Sequence, residues 1–202
     1  MRSHPIFARA WDVLMWLAPP HEKGNRDELT ATALGTVLEL GAGTGVNFGR
    51  YRRAGLVVAV EPEPTMARRA RRRAARAKVP VSVLRGAGEA LPFHDGAFDT
   101  VVACNVLCSV ADPGRAAAEL RRVLRPRGTV RFYEHVRSLS TRAGRMQDRI
   151  QPLWSRLAAG CHPNRDPVAA LKRAGFEVRY RRLSVGPVSP VRPHVMGTAR
   201  AR

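Results

Sequence analysis

Short apolar runs alternate with stretches of helical periodicity through most of this chain. The runs read as strands at residues 36–40, 56–60, 81–84, 98–104 and 129–134, with glycine and proline punctuating the turns. Two more, at 176–183 and roughly 194–199, bring the number to seven. Helices belong between them. A short one is expected over 46–53. Others start where an acidic cap precedes proline: Glu63-Pro64, Asp112-Pro113 and Asp166-Pro167. The second of these should reach about Leu124, closed by Pro126 and Gly128, and the third should stop at Gly175. Strict alternation of strand and helix predicts an α/β domain, a mostly parallel sheet with helices on both faces.

Two segments stand outside this alternation, within residues 1–30 and 140–165. Phe7, Trp11, Leu14 and Ala18 recur at helical spacing after Pro5. Met146, Ile150, Leu153, Trp154 and Leu157 form a second apolar face, with a kink expected at Pro152. Both read as packing against the sheet or as lids over a site at the strand ends. The first, with Trp11 and Trp16, also has the makings of an interfacial helix giving peripheral membrane contact.

Chemistry enters at residues 37–45, Val-Leu-Glu-Leu-Gly-Ala-Gly-Thr-Gly, followed about twenty residues on by Glu61 at the end of the next strand. Glycines let backbone turn sharply beside a ligand, and a carboxylate there meets ribose hydroxyls. A dinucleotide site would place its third glycine at position 46. Val46 stands there instead, and Gly45 comes one place early. The triplet Gly41, Gly43, Gly45 with Glu39 before it resembles the first motif of the class I S-adenosylmethionine-dependent methyltransferases.

Composition narrows the setting. The length fits one domain, and the 45% hydrophobic content supports a packed core. No apolar run approaches a membrane span, and the stretch from Ile6 to Pro20 is broken by Arg9 and Asp12, unlike a secretory signal. Cys104, Cys108 and Cys161 follow no metal-ligand spacing, so no metal is expected, and reduced thiols in a cytoplasmic setting are. The net charge of +19 is almost all arginine, since lysine stands only at Lys23, Lys78 and Lys172. That excess is compositional bias or attraction to an anionic partner, nucleic acid included. The run from Arg68 to Lys78 spreads around a helix and carries no interleaved aromatics, which favours a solvated helix.

Later segments extend the resemblance in chain order. Gly86-Ala87-Gly88-Glu89-Ala90-Leu91-Pro92-Phe93 and Gly96-Ala97-Phe98-Asp99 are similar to segments of small-molecule methyltransferases, as is the turn Leu124-Arg125-Pro126-Arg127-Gly128. Val106-Leu107-Cys108-Ser109-Val110, Glu134-His135-Val136, Gly160-Cys161 and Val191-Arg192-Pro193-His194 resemble the alkyl thiol S-methyltransferase branch. The resemblance implies a Rossmann-like fold whose last strand runs antiparallel, S-adenosylmethionine as cofactor, and a small-molecule acceptor, a thiol or lipid-like compound. RNA methylation, or nucleic-acid binding without catalysis, is the alternative, though no Asn-Pro-Pro-Tyr motif follows the fourth strand.

It also implies roles. Gly41, Gly43 and Gly45 cradle the methionine end of the cofactor and Glu39 organises it. Glu61 takes the ribose, Pro62 and Met66 flank the adenine, and Asn105 lines the cofactor and substrate. The family often carries aspartate where Ala87 stands, so Glu89 or the backbone at Ala87 and Gly88 must replace that contact. His135, just past the fifth strand, is the candidate general base, ahead of His162 and His194. Direct methyl transfer needs no protein nucleophile, so Cys108 and Cys161 are assigned to packing.

Overall fold

The computed structural model describes residues 5–17, 19–185 and 191–201. The strands are β1 (Gly35–Leu40), β2 (Ala54–Val60), β3 (Val81–Leu84), β4 (Phe98–Cys104), β5 (Leu124–His135), β6 (Phe176–Ser184) and β7 (Pro193–Ala201). They form one sheet in the order β3-β2-β1-β4-β5-β7-β6. Neighbours from β3 through β5 pair parallel, and β7 lies antiparallel between β5 and β6. The expected sheet is therefore present, with its last strand reversed.

Apolar residues on both faces explain the runs. On one side Leu38, Val101 and Phe132 pack with Leu120 and Leu171 from α4 (Pro113–Val123) and α6 (Pro167–Arg173). On the other, Val37, Val57 and Val102 pack with Leu29 and Ala70 from α2 (Pro20–Ala31) and α3 (Pro64–Ala74). Successive strand residues point to opposite faces, so one continuous run serves two cores. The three acidic caps hold: Glu63 accepts from Met66 N, Asp112 from Gly114 N and Arg115 N, and Asp166 from Ala169 N.

Three expectations need correction, and one helix is absent from the sequence reading. Residues 46–53 contain only a single 3₁₀ turn, Phe48–Arg50. That tighter spacing eclipses positions three apart, which turns Phe48 and Tyr51 inward together. The fifth strand begins at Leu124 rather than 129, and its register shifts between Phe98 and Thr100. Helix α2 had no apolar signature because its buried face holds Glu22, Arg26 and Thr30 beside Leu29. Glu22 and Arg26 neutralise each other one turn apart at 3.1 Å, so the helix goes inward on charge.

Helix α5 (Thr141–Leu157) is present and continues through Pro152, with Ile150 and Trp154 half-buried and the other three apolar positions turned outward. Met146, Leu153 and Leu157 are 48%, 62% and 65% exposed. The buried anchor is Gln147, whose Nε2 donates to Val136 O and Pro163 O and whose Oε1 accepts from Ser138 N. At the other end of the chain, α1 (Pro5–Trp16) leaves Val13 and Trp16 exposed and Trp11 half-buried. Ala18 and the side chains of Phe7 and Leu14 lie outside the described residues. Among the described residues no helix is long and apolar enough to cross a membrane.

This packing sets a contrast between two apolar residues. Leu120→Ala should lower unfolding stability by about 2–5 kcal/mol through the cavity it leaves. Met146→Ala should change it by no more than about 0.5 kcal/mol. Urea titration of both variants measures the difference, and equal losses would mean that α5 is packed through its apolar face.

Candidate active site at the strand tips

The strand order reverses beside β1, between β2 and β4, and a crevice at such a switch point lies off the carboxyl ends of the strands. The glycine loop leaves β1 there. Gly41 N and Ala42 N both donate to Val60 O, at 2.8 and 3.2 Å, drawing the loop onto the tip of β2. Gly41 has φ +62°, and a Cβ on it would sit 2.3 Å from Val106 Cγ2. Only glycine lets the loop and the turn after β4 approach so closely. Gly43, at φ +58°, is loosely surrounded: the nearest atom to a Cβ there is Trp11 Nε1 of α1, in ordinary contact at 4.0 Å.

Glu61 closes the loop from the side. Its Oε2 accepts from Gly43 N at 2.8 Å and its Oε1 from Glu63 N at 2.9 Å. Burial raises its pKa above the ordinary carboxylate value, and the two amides oppose that rise. Pro62 is half-buried and Met66 buried, on the turn and the first coil of α3. Glu39 lies deeper: Asn47 Nδ2 donates to its Oε1 at 2.9 Å and Tyr51 OH to its Oε2 at 2.8 Å. Burial pushes its pKa up to about 7. Both oxygens thus bind the underside of the loop.

The third tip belongs to β4. Asn105 takes φ +54°, its N donates to Tyr133 O at 2.8 Å, and its Oδ1 is buried with no hydrogen-bond partner. Next along, Glu134 from the end of β5 accepts from Val106 N, Leu107 N and Cys108 N at 2.9, 3.0 and 3.2 Å. The segment expected to face adenine is tied down locally. Ala87 bridges Ala90, a Cβ on Gly88 would meet Leu40, and Glu89 Oε1 accepts from Ala111 N and Asp112 N.

Charged groups close α1 over the loop. Asp12 Oδ1 accepts from Thr44 Oγ1 at 2.6 Å and from Arg73 Nη1 at 2.8 Å, and Asp12 Oδ2 accepts from Arg69 Nη1. Arg73 also donates to Thr44 O at 2.9 Å. Two arginines of the basic run are thus latches for the first helix. A cleft of about 360 Å³ lies beneath that helix, lined by Asp12, Trp16, Arg26, Gly45 and Arg73 among others. Neither Glu61 nor Asn105 lines it, so the strand-tip crevice is defined by its hydrogen bonds rather than by that cavity.

His135 ends β5, half-buried, and three chain segments meet there. Its Nδ1 lies 3.7 Å from Cys108 Sγ and 3.6 Å from Cys161 Sγ, and the two sulfurs are 3.8 Å apart. Cys108 and Cys161 are both buried and unbridged. The Cys108 contact and His135 hold the Cys161 thiol far below its ordinary range, while Cys161 and burial drive Cys108 up. His194 packs its ring 4.2 Å from that of His135, and burial, followed by the charge of His135, lowers its pKa to about 3. His162 turns its Nδ1 to Gly160 O at 2.6 Å.

Sequence spacing could not expose this triangle, because its corners come from the turn after β4, the tip of β5 and the loop after α5. The roles of Asp12, Arg73, Tyr51 and Glu134 were equally hidden. Each is an ordinary polar residue until a distant segment folds against it.

Residues 38–132 match the family described as a methyltransferase domain. A thiol S-methyltransferase of Rattus norvegicus is 32% identical over 183 residues, covering 88% of this chain and 72% of the relative. One from Homo sapiens is 36% identical over 170 residues, covering 81% and 70%. Among solved structures, a possible histamine N-methyltransferase of Thermotoga maritima superposes with a TM-score of 0.68 at 23% identity, covering 98% of each chain. A cyclase superposes with a TM-score of 0.71 at 20% identity, covering 90% of this chain and 80% of the other, so this likeness speaks for the fold alone. Sequence relatives and strand-tip motifs together place the chain in a family, and it belongs to the class I S-adenosylmethionine-dependent methyltransferases.

Proposed function

We propose that this enzyme methylates the thiol of a small-molecule acceptor, with S-adenosylmethionine lying across the tips of β1, β2 and β4. The observation that carries the acceptor class is the likeness to thiol S-methyltransferases over more than four-fifths of the chain. Two features of the crevice fit the cofactor. Gly43 leaves a bare backbone with only Trp11 of α1 near it, and the buried Asn105 Oδ1 is an acceptor in want of a donor such as an ammonium group. The cofactor supplies a methyl group already activated on sulfonium sulfur.

The chain's own residues bind and orient. Gly41, Gly43 and Gly45 hold the methionine end, and Asn105 accepts from its ammonium. Glu61 takes the ribose hydroxyls with lone pairs that its two amides leave free. Pro62 and Met66 flank the adenine on one side and the Ala87 to Glu89 segment on the other. Glu39 supports the loop from below through Asn47 and Tyr51. His135 and its two cysteines stand one strand over, on the acceptor side. Helices α1 and α5 act as lids, the first latched by Asp12, and exclude water from the reacting pair. Positioning of this kind can supply about 7–11 kcal/mol. Reaction in the cytoplasm, with peripheral membrane contact through exposed Val13 and Trp16, suits such an enzyme acting on apolar thiols.

Incubation with methyl-labelled cofactor and a panel of thiols, phenols, amines, phospholipid and RNA tests the acceptor. Label should enter the thiols, and label in RNA or amines alone would refute the reading. Glu61→Ala should weaken cofactor binding by about 1.5–3 kcal/mol, roughly 10–150-fold, in calorimetric titration of a folded variant. Asp12→Ala should unlatch α1 and weaken binding about tenfold, a loss of about 1.4 kcal/mol, with little change in unfolding midpoint. Unaltered affinity would detach the lid from the site.

A further inference from the structure

We infer that Cys108, His135 and Cys161 form a three-ligand site for a thiophilic divalent cation of the zinc type, with the acceptor thiol as fourth ligand. The inference rests on the thiol reading above and names the means by which that thiol is activated. Its first support is metric. Zinc bonds of about 2.3 Å to sulfur and 2.0–2.1 Å to nitrogen, set at the tetrahedral angle, separate the ligand atoms by about 3.8 Å for two sulfurs and about 3.6 Å for sulfur and nitrogen. The edges here are 3.8 Å for Cys108 to Cys161, and 3.7 and 3.6 Å from those sulfurs to His135 Nδ1. A disulfide would draw the sulfurs to about 2.05 Å and give the imidazole no place in the triangle.

Each corner is held independently. Cys108 N donates to Glu134, and Cys108 O accepts from His162 N at 2.9 Å, which ties the Cys161 loop to the turn after β4. That loop bends through Ala159 at φ +48° and Gly160 at φ +85°, and a left-handed alanine costs of order 1 kcal/mol. His194 packs its ring at a tilt of 42° against that of His135, and Tyr133 stacks on His194 in turn, so the His135 ring is wedged in place. Two sulfurs and one imidazole nitrogen are a soft donor set suited to zinc. His135 is the half-buried corner, which leaves the triangle approachable from the mouth.

The chemistry closes. A bound acceptor thiol coordinates as thiolate and releases its proton to water. Its sulfur forms a bond to the donor methyl carbon while the bond from that carbon to the sulfonium sulfur breaks, the electron pair staying on the donor sulfur. The products are two neutral thioethers and one proton, and the cation keeps its oxidation state. A thioether is a weak ligand for zinc, so the methylated product departs.

Cobalt(II) added to the reduced, metal-stripped full chain tests the site, because it occupies zinc positions and reports them optically. One equivalent should produce tetrahedral ligand-field bands and an intense sulfur-to-cobalt transition. Cys108→Ser and Cys161→Ser should each weaken that transition, His135→Ala should loosen binding, and Cys104→Ala should leave both unchanged. Circular dichroism and cofactor titration monitor folding in every variant. Absence of the sulfur transition in the folded parent chain would overturn the site without recourse to any variant, as would its persistence in the Cys108→Ser/Cys161→Ser double variant. A spectrum that shifts on adding a small thiol supports the fourth position, and one that ignores a thiol the enzyme methylates overturns it. If the cobalt bands appear but no thiol becomes labelled, the cation site stands and the acceptor reading fails.

Discussion

One buried carboxylate holds the centre of the molecule in register. Glu134 accepts from three successive amides, Val106 through Cys108, where β4 ends and the chain must turn without strand or helix partners. Burial raises its pKa, and those amides work against that rise. An unpaired buried carboxylate would be intolerable, and three unpaired buried amides nearly so, so the two problems cancel in one contact. From it follow the close approach of Val106 to Gly41 and the placing of Cys108 beside His135. Both the cofactor crevice and the sulfur–imidazole triangle hang on the same turn.

The same device recurs at neighbouring tips. Glu61 satisfies Gly43 N in the glycine loop, and Glu39 satisfies Asn47 and Tyr51 beneath it. Loops at the ends of a parallel sheet lose the ladder that satisfies their backbone. Glu61 and Glu134, each within one residue of a strand end, satisfy such amides directly, and Glu39 braces the loop through side chains. The carboxylates therefore stiffen the loops and prepare the crevice together.

Arginine shows how composition misleads when read without contacts. The net charge of +19 invites a nucleic-acid partner, yet arginine enters ion pair after ion pair among the described residues. Arg69 and Arg73 latch α1, Arg26 accompanies α2 into the core, and Arg122 joins Glu119 and Asp95 to the carbonyls of Leu91 and Phe93. These are internal fastenings. In a chain short of lysine and large aromatics, arginine provides much of the cross-linking between segments.

Local pattern alone determined the strands, the acid-and-proline helix starts and the glycine loop. Strand periodicity, capping and left-handed turns are decided by residues within a few positions of one another. Helix α2 escaped because a Glu22–Arg26 pair replaces its apolar stripe, and the anchor of α5 was hidden because Gln147 holds it while Met146, Leu153 and Leu157 stay exposed. Glu39, Glu61 and the glycines could be picked out from spacing, but whether a carboxylate meets a loop from the side or from below depended on Tyr51 and Asn47. The meeting of Cys108, His135 and Cys161 was left entirely to tertiary structure. Two strand-end segments and the loop after α5 converge only when the sheet is ordered, and no one-dimensional spacing records a distance across it.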